Sequence, residues 1–461
     1  MHIVLDYATE FHELNRHNSY RRMGEVQGMK RILVTGLCTL HWGRLQYGNI
    51  GNYYIVEPLF RQLHKHFPDY RIITTFQMDE QFIQKEDIEV IPMELYYSWN
   101  EEDVANAYKD VETAEKRIQQ TECELTPWVE TLLNCEYVIN VSGDMWGDNA
   151  EHVGHKRFLV DCLKMKTAQL LQKKTILYAV TPGPFSDEEE LAKEVFNKFD
   201  LVVIREKVSR DNLIKWGFST EHVVWAPCPS FLFEANKDYQ SKWIESIKKS
   251  HKQNRKVVGI TFGGFNMPCG PYDMWPREEE QYQVYVELAE YVLNTLNADI
   301  IIFSHTNGFE LPPHFKLKNG RDYMILEQFY HILLDKNSKY KDHIQLINEP
   351  LLPCDIKKVI SSLDMLITGR VHASVAATSQ CIPTVYVEYD RRVIYSDKMT
   401  GFSAQLGMEE YVCEPQDEEG LRGKVTKCYQ HLDEVKSNLE YVIPIIKEEA
   451  DAAFDLIKEI K

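Results

Sequence analysis

Short β-branched runs alternate with helical patterns along most of the chain, and this rhythm restricts the fold more than any other feature. RILVTGL (31–37), YRIITTF (70–76), CEYVINVSG (135–143), KTILYAVTPG (174–183) and DLVVIRE (200–206) form one series. NYYIVEPLFRQLHKHF and KRFLVDCLKMKTAQLLQ lie between them with helical spacing. Apolar runs too short for helices, separated by amphipathic helices, read as strands of a parallel sheet buried on both faces. After APCPS (226–230) the rhythm pauses in a charged helix, then resumes with RKVVGITFG, ADIIIFSHTNG, LDMLITG and IPTVYVEYD. Two similar α/β domains with doubly wound parallel sheets follow as the expectation, one over 29–235 and one over 236–416. Residues 1–28 read as an N-terminal extension, and 417–461 as amphipathic helices that could cross back onto the first domain.

Composition removes several function classes. Among 461 residues, 52 are basic and 70 acidic, a net charge of −18, so the mean field repels nucleic acid and an anionic ligand needs a local cationic pocket. Ten cysteines show no C-x-x-C pair and no zinc-finger spacing, which predicts reduced thiols, no metal site and a cytoplasmic location. No apolar run reaches the length of a transmembrane helix. Walker A, H-E-x-x-H, G-x-S-x-G and a dinucleotide-type glycine fingerprint are missing from the sequence. The Pro- and aromatic-rich loop 265–280 reads as a surface lid or a self-packed insertion.

In parallel sheets, ligands bind beyond the carboxyl ends of strands, where helix N-termini offer N–H groups. Arg370 and His372 occupy such a junction, after LDMLITG and before a small-residue helix. Both reach a ligand only if the segment is extended or turning there, with Val371 directed to the core. Arg370 equally reads as half of a structural salt bridge. Arg205 ends the strand LVVIR, with Glu206 and Asp200 as alternative partners. Asp144 and Asp148 follow the strand CEYVINVSG, where aspartate serves either as a base or as a turn cap. The glycines of GNIGN (48–52) suit a sharp turn into a helix starting near Asn52. His305 and Asn307 lie at another strand end, and His41, Trp42 and Trp146 are candidates for stacking on a sugar ring.

The run L-I-T-G-R-V-H-A-S-V-A-A-T-S-Q-C-I-P-T-V-Y-V resembles the C-terminal signature of the polysaccharide pyruvyl transferase family. In the same order, GNIGN, VSGDMWGD (141–148), LYAVTPGPF and LVVIREKVSRDNLIKWGF (201–218) are similar to its other blocks. The chain departs from the pattern at Asn52, Val141, Ser142, Val371 and Cys381, marking a divergent member.

The resemblance implies a GT-B-like fold of two facing Rossmann-like domains. It also implies transfer of a pyruvyl group from phosphoenolpyruvate, as donor substrate and without a cofactor, to sugar hydroxyls. The product would be a pyruvate ketal on a cell-surface glycan or its precursor, as in exopolysaccharide biosynthesis. The acceptor would be a glycan or a lipid-linked sugar. Under it His372 would be the general acid, Asp144 the acceptor of the hydroxyl proton, and Arg370 and Arg205 the arginines that clamp phosphate and carboxylate. Asn49, Gly51, Gly143, Asp148 and His305 would line the substrate site, and a basic family position falls on Arg391, Arg392 or Lys398. A GT-B glycosyltransferase using a nucleotide sugar, and a non-catalytic glycan-binding protein, are the alternative readings.

Overall fold

The computed structural model describes residues 30–36, 42–91, 100–147, 155–267, 274–390 and 397–460. The extension 1–28, His41, Asp148, Arg391 and Arg392 lie outside the described residues, as does part of the 265–280 loop.

Strands β1 (Lys30–Thr35), β2 (Tyr70–Thr74), β3 (Glu89–Val90), β4 (Tyr137–Asn140), β5 (Lys174–Val180), β6 (Leu201–Ile204) and β7 (Val223–Trp225) form one parallel sheet in the order β3-β2-β1-β4-β5-β6-β7. A second sheet repeats the pattern with β8 (Val257–Thr261), β9 (Asp299–Ile302), β12 (Ile344–Leu346), β13 (Met365–Thr368), β14 (Thr384–Val387) and β15 (Val412–Cys413), in the order β12-β9-β8-β13-β14-β15. Both are doubly wound Rossmann-like sheets, as the alternation predicted. Their central strands are buried throughout, which is why they read as unbroken apolar runs.

Each sheet reverses its winding at one place, between β1 and β4 in the first and between β8 and β13 in the second. Segments leaving the carboxyl ends of neighbouring strands diverge there and leave a crevice. One insertion interrupts the second series. Strands β10 (Asn307–Glu310) and β11 (Lys316–Asn319) form an antiparallel hairpin between β9 and the helix Arg321–Lys336.

The domains share apolar packing. The helix Ile50–His66 of the first domain buries Ile50 and Tyr54 in a cluster with Phe303, Ile356 and Ala373 of the second. The terminal helix Leu432–Lys458 returns to the first domain. There Phe454 is fully buried against Tyr178, with ring centroids 5.2 Å apart. Lys65 meets Asp451 at 2.6 Å and His66 meets Asp455 at 3.0 Å. Among the described residues no helix is long and apolar enough to cross a membrane.

Trp146 corrects an expectation. It is fully buried among Phe158, Phe185, Phe196 and Phe199, so it is core and presents no face to a sugar.

Because Phe454 fills a closed site, Phe454→Ala should destabilise the protein by about 3–5 kcal/mol. Urea unfolding of the full chain measures this. A loss under about 1 kcal/mol would show that the terminal helix contributes little to holding the first domain.

Candidate active site

A cavity of about 690 Å³ opens between the two domains, lined by residues that follow β1, β4 and β6 of the first sheet and β9, β13 and β14 of the second. Among the described residues its charged lining is Arg44, Arg157, Arg205, Arg321, Arg370 and Lys398 against the single carboxylate of Asp144. In a chain of net charge −18 this is the local cationic pocket that the composition required for an anionic ligand.

His372 stands near the centre. Arg370 is the extended cap residue (φ −111°, ψ 115°) of the helix Val371–Thr378, Val371 is buried, and His372 lies in the first helical turn. The strand-to-helix change therefore sends both basic side chains into the cavity. The imidazole passes close to the first domain, since a Cβ on Gly51 would lie 2.5 Å from His372 Nδ1. Gly51 is thus needed for space rather than for a turn. The helix begins at Ile50, two residues before the sequence suggested, and Asn49 caps it by accepting a hydrogen bond from the Asn52 N–H at 3.3 Å. His372 Nε2 is buried with no hydrogen-bond partner among the described residues.

Arg205 is 1% exposed; its Nε donates to Thr181 Oγ1 at 2.8 Å, and its guanidinium lies 5.5 Å from the centre of the Phe402 ring. Glu206 and Asp200, its alternative partners, are engaged elsewhere: Glu206 accepts from the Ser209 N–H at 2.9 Å and Asp200 from the Thr175 N–H at 2.6 Å. Burial raises the Glu206 carboxyl to about 7. Gly143, with φ 61°, brings the backbone beside Arg205, where a Cβ would lie 3.4 Å from Nη1. Asp144, the next residue, accepts from Lys398 Nζ and lies 4.0 Å from Arg205 Nη2. Lys398 belongs to the second domain, so this ion pair bridges the cleft. Burial opposes the Lys398 charge, but Asp144 and Tyr389 outweigh it and raise its pKa.

Arg370 requires a correction. Its Nε donates to Asp322 Oδ2 at 2.9 Å and its Nη2 to Asp322 Oδ1, so the two-point face assigned to phosphoenolpyruvate is engaged by a fully buried carboxylate. The salt-bridge and cavity-lining readings both hold, for different edges of one guanidinium. Asp322 sits 48 residues earlier in the chain, with no motif to mark it. Gly263 and Gly369 complete the support: a Cβ on Gly263 would meet Arg370 at 2.7 Å, and Gly369 packs against Asn266. Asn266 is held in turn by its donation to the Glu388 carbonyl at 3.1 Å. The start of the 265–280 loop is therefore part of the site, with Phe265 lining the cavity.

His305 also lines the cavity, almost fully buried and edge-on to Tyr54 at 5.4 Å. Burial, with Lys357 nearby, lowers its pKa to about 3. His372 is lowered well below its ordinary value by burial and then by the Arg205 charge. This differs from the near-neutral pKa expected of a general acid. Without an anion beside it, His372 is neutral at pH 7.

Two facing Rossmann-like domains with a cationic cleft at both switch points define the GT-B-like fold class. Solved structures agree on the fold. A glycosyltransferase from Rickettsia africae is 13% identical with a TM-score of 0.54, over 94% of this chain and 99% of that one. HepE from Anabaena, in complex with UDP, is 12% identical with a TM-score of 0.54, again over 94% and 99%. MnaA from S. aureus, a UDP co-structure, is 12% identical with a TM-score of 0.51, over 94% and 99%. No curated protein matches the chain. The family model for polysaccharide pyruvyl transferase matches residues 49–391, and the chain belongs to that family.

The depressed histidines fix a pH dependence. In the unfolded chain each titrates near its ordinary pKa of about 6.5. As pH falls below that value, the unfolded state takes up protons that the folded state refuses, so stability falls with pH. Between about pH 6 and pH 4.5, His305→Asn should flatten the dependence of unfolding free energy on pH by about 1.4 kcal/mol per unit, seen in urea midpoints. An unchanged slope would mean that His305 is protonated in the fold.

Proposed function

We propose that the protein transfers a pyruvyl group from phosphoenolpyruvate to two hydroxyls of a sugar, forming a pyruvate ketal on a cell-surface glycan or its precursor and releasing phosphate. Family membership supports the reaction class. The observation that carries the reading to particular residues is the buried, unpartnered His372 Nε2 in a cavity walled by Arg205, Arg370 and Lys398.

Phosphoenolpyruvate carries a phosphate and a carboxylate, for which arginines are suited ligands in a desolvated cleft. Burial first and the Arg205 charge second disfavour imidazolium; the negative charge of the donor would act against both, so donor binding would protonate His372. His372 Nε2–H would then deliver its proton to the methylene carbon, leaving an oxocarbenium-like centre at C2. A sugar hydroxyl adds to C2 and gives its proton to Asp144. The C2–O bond to phosphate breaks and phosphate departs with the Asp144 proton. The second hydroxyl closes the ketal and returns a proton to His372. No cofactor enters this sequence. A nucleotide-sugar transferase on the same fold rests on fold likeness alone.

His372→Ala should lower transfer by about 10²–10⁴-fold with unchanged thermal stability. Titrating wild type with phosphoenolpyruvate in buffers of different ionisation enthalpy should show uptake of close to one proton near pH 7, and His372→Ala should abolish it. Absence of any phosphoenolpyruvate affinity, with or without acceptor, would remove the assignment.

Arg205→Lys and Arg370→Lys should part company. Arg205→Lys should weaken phosphoenolpyruvate binding with little change in melting temperature. Arg370→Lys should also lower the melting temperature, because Asp322 loses half of its two-point contact. Complete loss of a buried partner costs about 3–5 kcal/mol, which bounds the effect. Equal melting temperatures for the two variants would show that Asp322 does not depend on Arg370.

A further inference from the structure

The cavity has two chemically different ends. At one end stand Arg205, Asp144 and Lys398, on segments after β4, β6 and β14. At the other stand Trp42, after β1, and Phe309 of the hairpin after β9. In both sheets the winding order puts these ends on opposite sides of the switch point, with His372 between them.

The aromatic end is built rather than incidental. Trp42 and Phe309 belong to different domains and pack edge to face with centroids 6.1 Å apart. Tyr47 completes a triangle of rings, 6.0 Å from Phe309 and 6.3 Å from Trp42. Gly43, with φ 68°, leaves room for this contact, since a Cβ there would lie 3.2 Å from the Phe309 ring. Both rings are half-buried, so each keeps surface toward the cavity while its rotamer is fixed by packing. Rings locked in advance lose little conformational entropy when a ligand stacks on them. Asn307 and Asn319, at the base of the hairpin, also line the cavity; each donates one amide hydrogen to a backbone carbonyl, Leu351 O at 2.7 Å and Asn348 O at 3.2 Å, which fixes the amide while its oxygen can still accept. Aromatic surface suits a sugar ring, whose C–H face stacks on the negative ring face while its hydroxyls meet the amides and the guanidinium groups of Arg44 and Arg321, which line the same end.

From this we infer that the hairpin end of the cavity, with Trp42 and Phe309 as its platform, is the acceptor subsite and binds a pyranose by stacking. The inference rests on the pyruvyl-transfer reading for the word acceptor, but the sugar site itself stands apart from the donor. The pyranose is held with its hydroxyls toward His372 and Asp144, while the donor occupies the Arg205 end. Both substrates are present together, and neither displaces the other.

The test uses the full chain and saturation-transfer NMR with a panel of p-nitrophenyl hexosides and N-acetylhexosaminides. At least one glycoside should receive saturation, strongest at the ring C–H protons. Trp42→Ala should weaken its binding by about tenfold, equivalent to about 1.4 kcal/mol, and Trp42→Phe should recover most of it. The calorimetric affinity for phosphoenolpyruvate should stay within about twofold in both variants. The inference is overturned if no glycoside binds wild type, if Trp42→Ala binds the glycoside as wild type does, or if phosphoenolpyruvate or UDP displaces it. Glycoside binding that depends on Trp42 in a protein without phosphoenolpyruvate affinity would keep the sugar site and remove the pyruvyl-transfer reading.

Discussion

Six cations line the interdomain cleft among the described residues, and the site depends on how three of them are held. Arg205, Arg370 and Lys398 all line one cavity, with Arg205 and Lys398 almost wholly removed from solvent. Unpaired charges at such positions would cost several kcal/mol each. Asp322 answers Arg370, and Asp144 answers Lys398 with Arg205 close by. Two carboxylates thus hold three cations, leaving a local excess of positive charge in an acidic protein. Burial, and after it the Arg205 charge, keeps His372 neutral, and the excess of positive charge makes an anion the natural occupant.

The same pairs tie the architecture together. Asp144 and Lys398 belong to different domains, as do Arg205 and Phe402, and Gly51 and His372. Each joins a segment leaving one sheet's carboxyl edge to a segment leaving the other's. The cleft is therefore fixed by polar contacts inside it as well as by the apolar cluster around Tyr54 and the returning terminal helix.

Small residues do much of the positioning. Gly51 admits the imidazole, Gly263 admits the Arg370 guanidinium, and Gly43 admits Phe309. Among these only Gly43 requires a positive φ, so the other two are explained by close approach across a gap. A motif such as GNIGN invites a turn explanation, and the structure replaces it with a spatial one.

The sequence by itself determined the two parallel sheets, because strands covered on both faces must be apolar along their length and their connecting helices must be amphipathic. It also placed Arg205, Arg370, His372 and Asp144 at strand ends, and the order of blocks marked the family. Only the tertiary structure decided what those side chains touch. The Arg370 partner lies on a helix far back in the chain, the neighbour of His372 is a glycine in the other domain, and Lys398 pairs with Asp144 across the cleft. Trp146 and Trp42 looked alike as aromatics near glycines, yet one is core and the other lines the cavity. Periodicity reports which face of an element is buried. It carries no information about which distant element does the burying, and that contact sets charge, protonation and access in the site.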